Sequence, residues 1–222
     1  MLACCYREGQ EVEQVIISEQ VFIAEPEFEF APAPAVEPLP SPAAAGGTLV
    51  IGLERSGTVA DLGLILDSTN EELVIIQGIS EGLVRNYNKT CPARKAIKIY
   101  DWIISLNGTR GSLPEFRKLL ESLKVENTLT IEVVQPTETS VLLKKAGVLG
   151  ITLNYKTASV GLLVKGINDG TLNEWNKAHP DTPIKPGDLI VAVNKVTYNA
   201  VDLLKKLKES GSLDITVMRY VL

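Results

Sequence analysis

Gly63 and Gly150 stand 87 positions apart in near-identical settings, Leu62-Gly63-Leu64-Ile65-Leu66 and Leu149-Gly150-Ile151-Thr152-Leu153. A chain that copies itself at such a spacing builds one unit twice. From the two glycines the ladder runs through Gly78, Ile79, Gly82, Asn88, Lys89 and Pro92, answered by Gly166, Ile167, Gly170, Asn176, Lys177 and Pro180 after one inserted residue. The frame then returns, Ile97 with Ile184, Asp101 with Asp188, Ile103 with Ile190 and Asn107 with Asn194. Leu119, Leu120, Leu123 and Lys124 match Leu203, Leu204, Leu207 and Lys208, and Leu129, Ile131 and Val133 match Leu213, Ile215 and Val217. If each copy is a loop feeding a strand, the glycine lets the backbone turn sharply and leaves consecutive N–H groups facing one concavity. Such a nest suits a carboxylate.

What precedes the repeats differs in kind. Residues 1–47 hold eight acidic side chains and one basic, Arg7, a net −7; subtracted from −5 for the chain, this leaves about +2 for residues 48–222. Six of the 12 prolines also fall there, between Pro26 and Pro42. A stretch so charged and proline-rich cannot bury enough apolar surface to offset its ordering entropy, so it reads as a disordered leader. Its exception is Val15-Ile16-Ile17 with Val21-Phe22-Ile23, which suits a docking strand. Acidity overall and the lack of a basic stripe argue against a nucleic-acid partner.

Cys4 and Cys5 follow an apolar start that Arg7 and Glu8 cut short, too short for a signal peptide. Paired thiols there suit S-acylation and peripheral attachment to a membrane, or are ordinary reduced cysteines. Cys91 is matched by His179 rather than by a partner thiol, and no disulfide framework exists, which fits a reducing, cytoplasmic setting, with the inner face of a membrane as the site of attachment. The sequence has no run of the roughly 20 apolar residues that span a bilayer. With one His, no Gly-x-Ser-x-Gly elbow, no phosphate loop and no metal-ligand spacing, it offers no catalytic constellation, metal site or cofactor site.

Element signals follow the same order in both copies. In the first, strands are expected near 48–53, 64–67 and 73–79, a short helix from Glu81 or Gly82 to Asn88, a strand at 102–107 closed by the Asn107-Gly108 turn, an amphipathic helix over 113–124, and a last strand over 128–134. Pro114 falls in the first turn of that helix, and Asn199 suits the N-cap of its counterpart.

This order, with the x-Φ-Gly-Φ loop and the Asp-x-Ile-x-x-x-Asn strand, resembles the PDZ family over about 48–136 and 137–222. The resemblance implies an α+β, mainly β, fold: two partly open barrels or sandwiches of about five to six strands and two helices each. It places the carboxylate loops at Leu62-Gly63-Leu64 and Leu149-Gly150-Ile151, with the family's first glycine replaced by Asp61 and by Val148. Asp61 sets a negative charge beside a site meant for an anion, which favours the second copy. Lys144 stands where the family carries a basic residue, whereas Arg55 is displaced.

The function implied is a non-enzymatic scaffold that captures partner C-terminal tails by strand addition between the second strand and the last helix. Leu62, Leu64 and Leu123 would line the pocket for an apolar final residue in the first copy, and Leu149, Ile151 and Leu207 in the second. Phe116 and Ala200 take the place of the family's helix-opening His, with Leu120 and Leu204 one turn on, so an apolar residue two before the ligand's terminus is expected. Two alternatives compete: packing modules whose grooves are covered, or the regulatory part of a larger, protease-type assembly. The short link Gln135-Pro136-Thr137-Glu138 implies a fixed orientation of the two units.

Overall fold

Strands such as Gly47–Glu54 and Gly211–Arg219 bury every second residue and the helices carry apolar residues three and four apart, the patterns that close a sheet over its helices. A computed structural model describes residues 13–17, 46–54, 61–70, 73–122, 128–197 and 199–221. Its first strand, β1 (Glu13–Ile17), comes from the leader. The first copy follows as β2 (Gly47–Glu54), β3 (Leu64–Asn70), β4 (Leu73–Ile79), α1 (Leu83–Thr90), a single 3-10 turn at Ala93–Lys95, β5 (Trp102–Leu106), β6 (Thr109–Arg110), α2 (Leu113–Ser122) and β7 (Thr128–Gln135). The second repeats it as β8 (Thr137–Lys145), β9 (Ile151–Tyr155), β10 (Leu162–Ile167), α3 (Thr171–Ala178), β11 (Leu189–Val193), β12 (Val196–Thr197), α4 (Ala200–Lys208) and β13 (Gly211–Arg219). Each copy thus contributes six strands and two α-helices, so the protein is an α+β, mainly β, pair of units built on one plan.

The first sheet has the order β2-β7-β5-β4-β3, with β6 on β5; the second has β1-β9-β10-β11-β13-β8, with β12 on β11. Every pairing is antiparallel. One core gathers Ile51, Val74, Ile76, Ile103, Phe116 and Ile131 among others, and the other Val141, Ile151, Leu153, Leu203, Leu207 and Ile215.

The repeated polar residues prove to be staples. Asn88 donates from Nδ2 to the Ile97 carbonyl (2.8 Å) and accepts at Oδ1 from the Ile97 amide (3.0 Å), and Asn176 does the same with Ile184 at 2.8 and 2.9 Å. Each carboxamide replaces a backbone pair and ties helix α1 or α3 to the next loop. Asn107 and Asn194, at φ 47° and 49°, turn the β5–β6 and β11–β12 hairpins while their Oδ1 atoms accept from the amides of Thr130 and Asp214.

The two aspartates of the Asp-x-Ile-x-x-x-Asn strand diverge. Asp188 is buried and ion-paired with Arg219, whose Nε donates to Oδ1 at 2.8 Å. Asp101 is just as buried, yet among the described residues the place of Arg219 is taken by Gln135, whose Nε2 donates to Oδ2 at 3.3 Å. Burial pushes the Asp101 carboxyl up to about 6, against the downward pull of the Lys98 amide and Gln135.

Three strands carry apolar residues on both faces, and this unites the copies. Ile75 of β4, Leu163 of β10 and Leu189 and Val191 of β11 turn away from their own cores into a third cluster with Val160, edged by Leu73, Tyr100, Met218 and Tyr220. Polar contacts seal it: the Val160 amide donates to Asp67 Oδ2 at 2.9 Å, Gln77 Nε2 to the Ala158 carbonyl at 2.9 Å, and the Tyr220 hydroxyl to the Tyr100 carbonyl at 2.8 Å. Trp102 and Tyr220 meet edge to face. Only Pro136 separates β7 from β8, so the orientation is set by both this cluster and the link.

Candidate peptide-binding edges

The two glycine loops are held by identical bonds. In the second copy the carbonyls of Val148, Leu149 and Gly150 accept from the amides of Thr171 (2.9 Å), Leu172 (3.1 Å) and Asn168 (2.8 Å). In the first, those of Asp61, Leu62 and Gly63 accept from Leu83 (2.9 Å), Val84 (3.2 Å) and Ser80 (2.8 Å). A trans peptide points its N–H opposite to its C=O, so with three carbonyls turned towards the helix start, the amides of Leu149, Gly150 and Ile151, and of Leu62, Gly63 and Leu64, face the other way. That is the geometry of an anion nest.

Glycine is required in both loops. Gly63 (φ +70°) and Gly150 (φ +74°) lie in the left-handed region, and a Cβ on Gly150 would sit 2.6 Å from the Asp169 carbonyl oxygen. The supporting glycines Gly82 and Gly170 face the loops just as closely: a Cβ on Gly170 would lie 2.8 Å from the Gly150 nitrogen.

Beyond the loop the second copy already holds a strand. β1 pairs with β9 in the register Glu13–Tyr155, Gln14–Asn154, Val15–Leu153, Ile16–Thr152 and Ile17–Ile151. The docking strand expected at Val15-Ile16-Ile17 is therefore present; Val21-Phe22-Ile23 lie outside the described residues. Because the Gly150 carbonyl faces β10, the Ile151 amide faces β1, and by the two-residue period of a strand so do those of Leu153 and Tyr155. Running antiparallel, β1 brings its C-terminal residue to the loop. Asn154 Oδ1, buried in β9, has no hydrogen-bond partner among the described residues. In the first copy the equivalent strand, β3, is the outermost strand of its sheet among the described residues.

The structure gathers Leu149, Ile151, Ala200, Leu204 and Leu207 into one buried cluster, and Leu62, Leu64, Phe116 and Leu120 into the other. Leu123, Cys4 and Cys5 lie outside the described residues. Asn199 caps α4, its Oδ1 accepting from the amides of Val201 and Asp202, and Ala200 opens the helix. Phe116, in contrast, does not open α2: Glu115 accepts from the Ser112 amide and hydroxyl and starts that helix one turn earlier, at Leu113. An apolar side chain stands at the helix start either way.

Lys144 is exposed on β8 opposite Ser212. Strand alternation puts its neighbour Lys145 on the core side, where Nζ donates to the carbonyls of Leu207 (3.0 Å), Lys208 (2.9 Å) and Glu209 (3.2 Å) at the end of α4. Lys145 thus serves as a helix C-cap, and partial burial lowers its pKa. The two lysines are adjacent in sequence, and strand phase alone decides that Lys145 meets the long helix.

Among the described residues no cluster of His, Cys, Asp and Glu could hold a metal ion, and no helix is long and apolar enough to cross a membrane. No family model and no curated protein matches the chain. Among solved structures it is similar to INAD PDZ45 in complex with an NG2 peptide, at 21% identity over 84% of this chain and 96% of that one, with a TM-score of 0.33.

Proposed function

We propose that this protein is a non-enzymatic scaffold that captures extended peptide segments by strand addition at the edges of β9 and β3, with the glycine loops receiving the end of the ligand. The observation that carries this reading is the β1–β9 ladder: the β9 edge accepts a strand, and in the polarity that delivers a C-terminus to Gly150. Main-chain bonds then supply affinity and the flanking helix supplies selectivity. The second copy is the principal site, because Asp61 stands beside the first loop. Partners are protein tails with an apolar last residue, met in the cytoplasm, with Cys4 and Cys5 as a means of attachment to a membrane.

The apolar start of α4 gives a sharp test. A C-terminal peptide with Val two residues before its terminus should bind the full chain more tightly than its Thr counterpart, by roughly tenfold for one unpaired hydroxyl facing Ala200 and Leu204. Titration calorimetry decides between them, and tighter binding of the Thr peptide refutes this selectivity.

A further inference from the structure

We infer that β1 is a resident ligand of the second site, so that partners bind there only by displacing the protein's own residues 13–17. This rests on the strand-addition reading and adds to it a ligand class and a mode of regulation. The occupant is internal: the chain continues through Ser18, so no terminal carboxylate is available at Ile17. Recognition of β1 must therefore come from the ladder opposite Ile151 to Tyr155. A segment with the same makeup, successive β-branched aliphatic residues in an extended run with acidic neighbours, is what the edge accepts.

Two observations and one consequence of tethering support occupation in cis. The 29 residues Ser18–Gly46 join β1 to β2, and a chain of that length can reach roughly 90 Å, ample to bring β1 to the second copy. The leader carries −7 against about +2 for the rest, and α4 has Lys205, Lys206 and Lys208 in its last turn. Tethering, moreover, makes the pairing intramolecular, with an effective concentration near the millimolar range, above that of most free partners. A partner succeeds by exceeding that competition, or when something else withdraws the leader, as anchoring at Cys4 and Cys5 would.

The test uses three proteins: the full-length wild type, the full-length double variant Val15→Pro/Ile17→Pro, and a deletion of residues 1–17. Val15 and Ile17 face Leu153 and Ile151, whose amides point at β1, so each proline removes a ladder donor. The probe is a fluorescein-labelled peptide of residues 10–20 with an amidated C-terminus, followed by anisotropy. Both altered proteins should bind it saturably, and the wild type at least tenfold more weakly. Equal affinity for all three overturns the inference, and so does failure of the altered proteins to bind. If those proteins bind C-terminal peptides but not this probe, resident occupation fails and peptide capture stands; if they bind neither, both fail.

Discussion

Replacing Gly150 with alanine should lower the stability of the protein by about 3 kcal/mol or more and abolish peptide binding in the second copy. Two penalties combine. An alanine at φ +74° sits in a conformation that costs an L-residue about 1–2 kcal/mol, and its Cβ would lie 2.6 and 2.7 Å from the carbonyl oxygens of Asp169 and Asn168. Those are backbone atoms at the start of α3, so relief requires the loop to move and the nest to open. Gly147→Ala separates the terms: its φ is +100° but nothing lies within 4 Å of the added Cβ, so strain alone remains, about 1 kcal/mol. Gly63→Ala should match Gly150→Ala in stability, with a Cβ 2.7 Å from the Glu81 oxygen, while leaving peptide binding in the second copy intact. Thermal unfolding and titration calorimetry on the same samples read both effects.

Arg219→Gln should cost on the order of 3 kcal/mol at pH 7, because it leaves the buried Asp188 carboxylate without its counter-ion. The first copy already contains this arrangement, since Asp101 has Gln135 at the corresponding place and its carboxyl is pushed up to about 6. A raised acid pKa makes the folded state hold its proton after the unfolded state has released it, so the stability due to Asp101 is present below about pH 4 and is lost as pH rises to about 6. Over that pH range the loss amounts to roughly 3 kcal/mol. Chemical denaturation from pH 4 to pH 7 should therefore show this slope in the wild type, a steeper one in Arg219→Gln, and a much flatter one in Gln135→Arg. If Arg219→Gln is as stable as the wild type at pH 7, the ion pair does not hold that end of β13.

Much of this was legible in the sequence because the fold is written twice. The matched pairs Asn88 and Asn176, Asn107 and Asn194, and Asp101 and Asp188 could be aligned without knowing their work, and the structure shows them as backbone staples. Val15-Ile16-Ile17 stood out as a β-branched run in a polar leader, but the edge it joins could not be read from periodicity, since strand pairing at long range depends on which edge is free. Composition does not distinguish Lys145 from Lys144, because strand phase decides which lysine faces α4. The contact between copies lay hidden in Val74-Ile75-Ile76 and Leu162-Leu163-Val164: unbroken apolar runs mark strands covered on both faces. What covers the second face is a matter of tertiary arrangement.

Hydrogen exchange at single amides of β9, followed by NMR, tests the central claim most directly. With β1 docked, the amides of Ile151, Leu153 and Tyr155 should exchange slowly in the wild type, and in Val15→Pro/Ile17→Pro they should exchange at least tenfold faster while those of Thr152 and Asn154, facing β10, stay protected. Adding the peptide of residues 10–20 to the double variant should restore the slow exchange. Unchanged protection of Ile151, Leu153 and Tyr155 in the double variant would contradict strand addition at this edge.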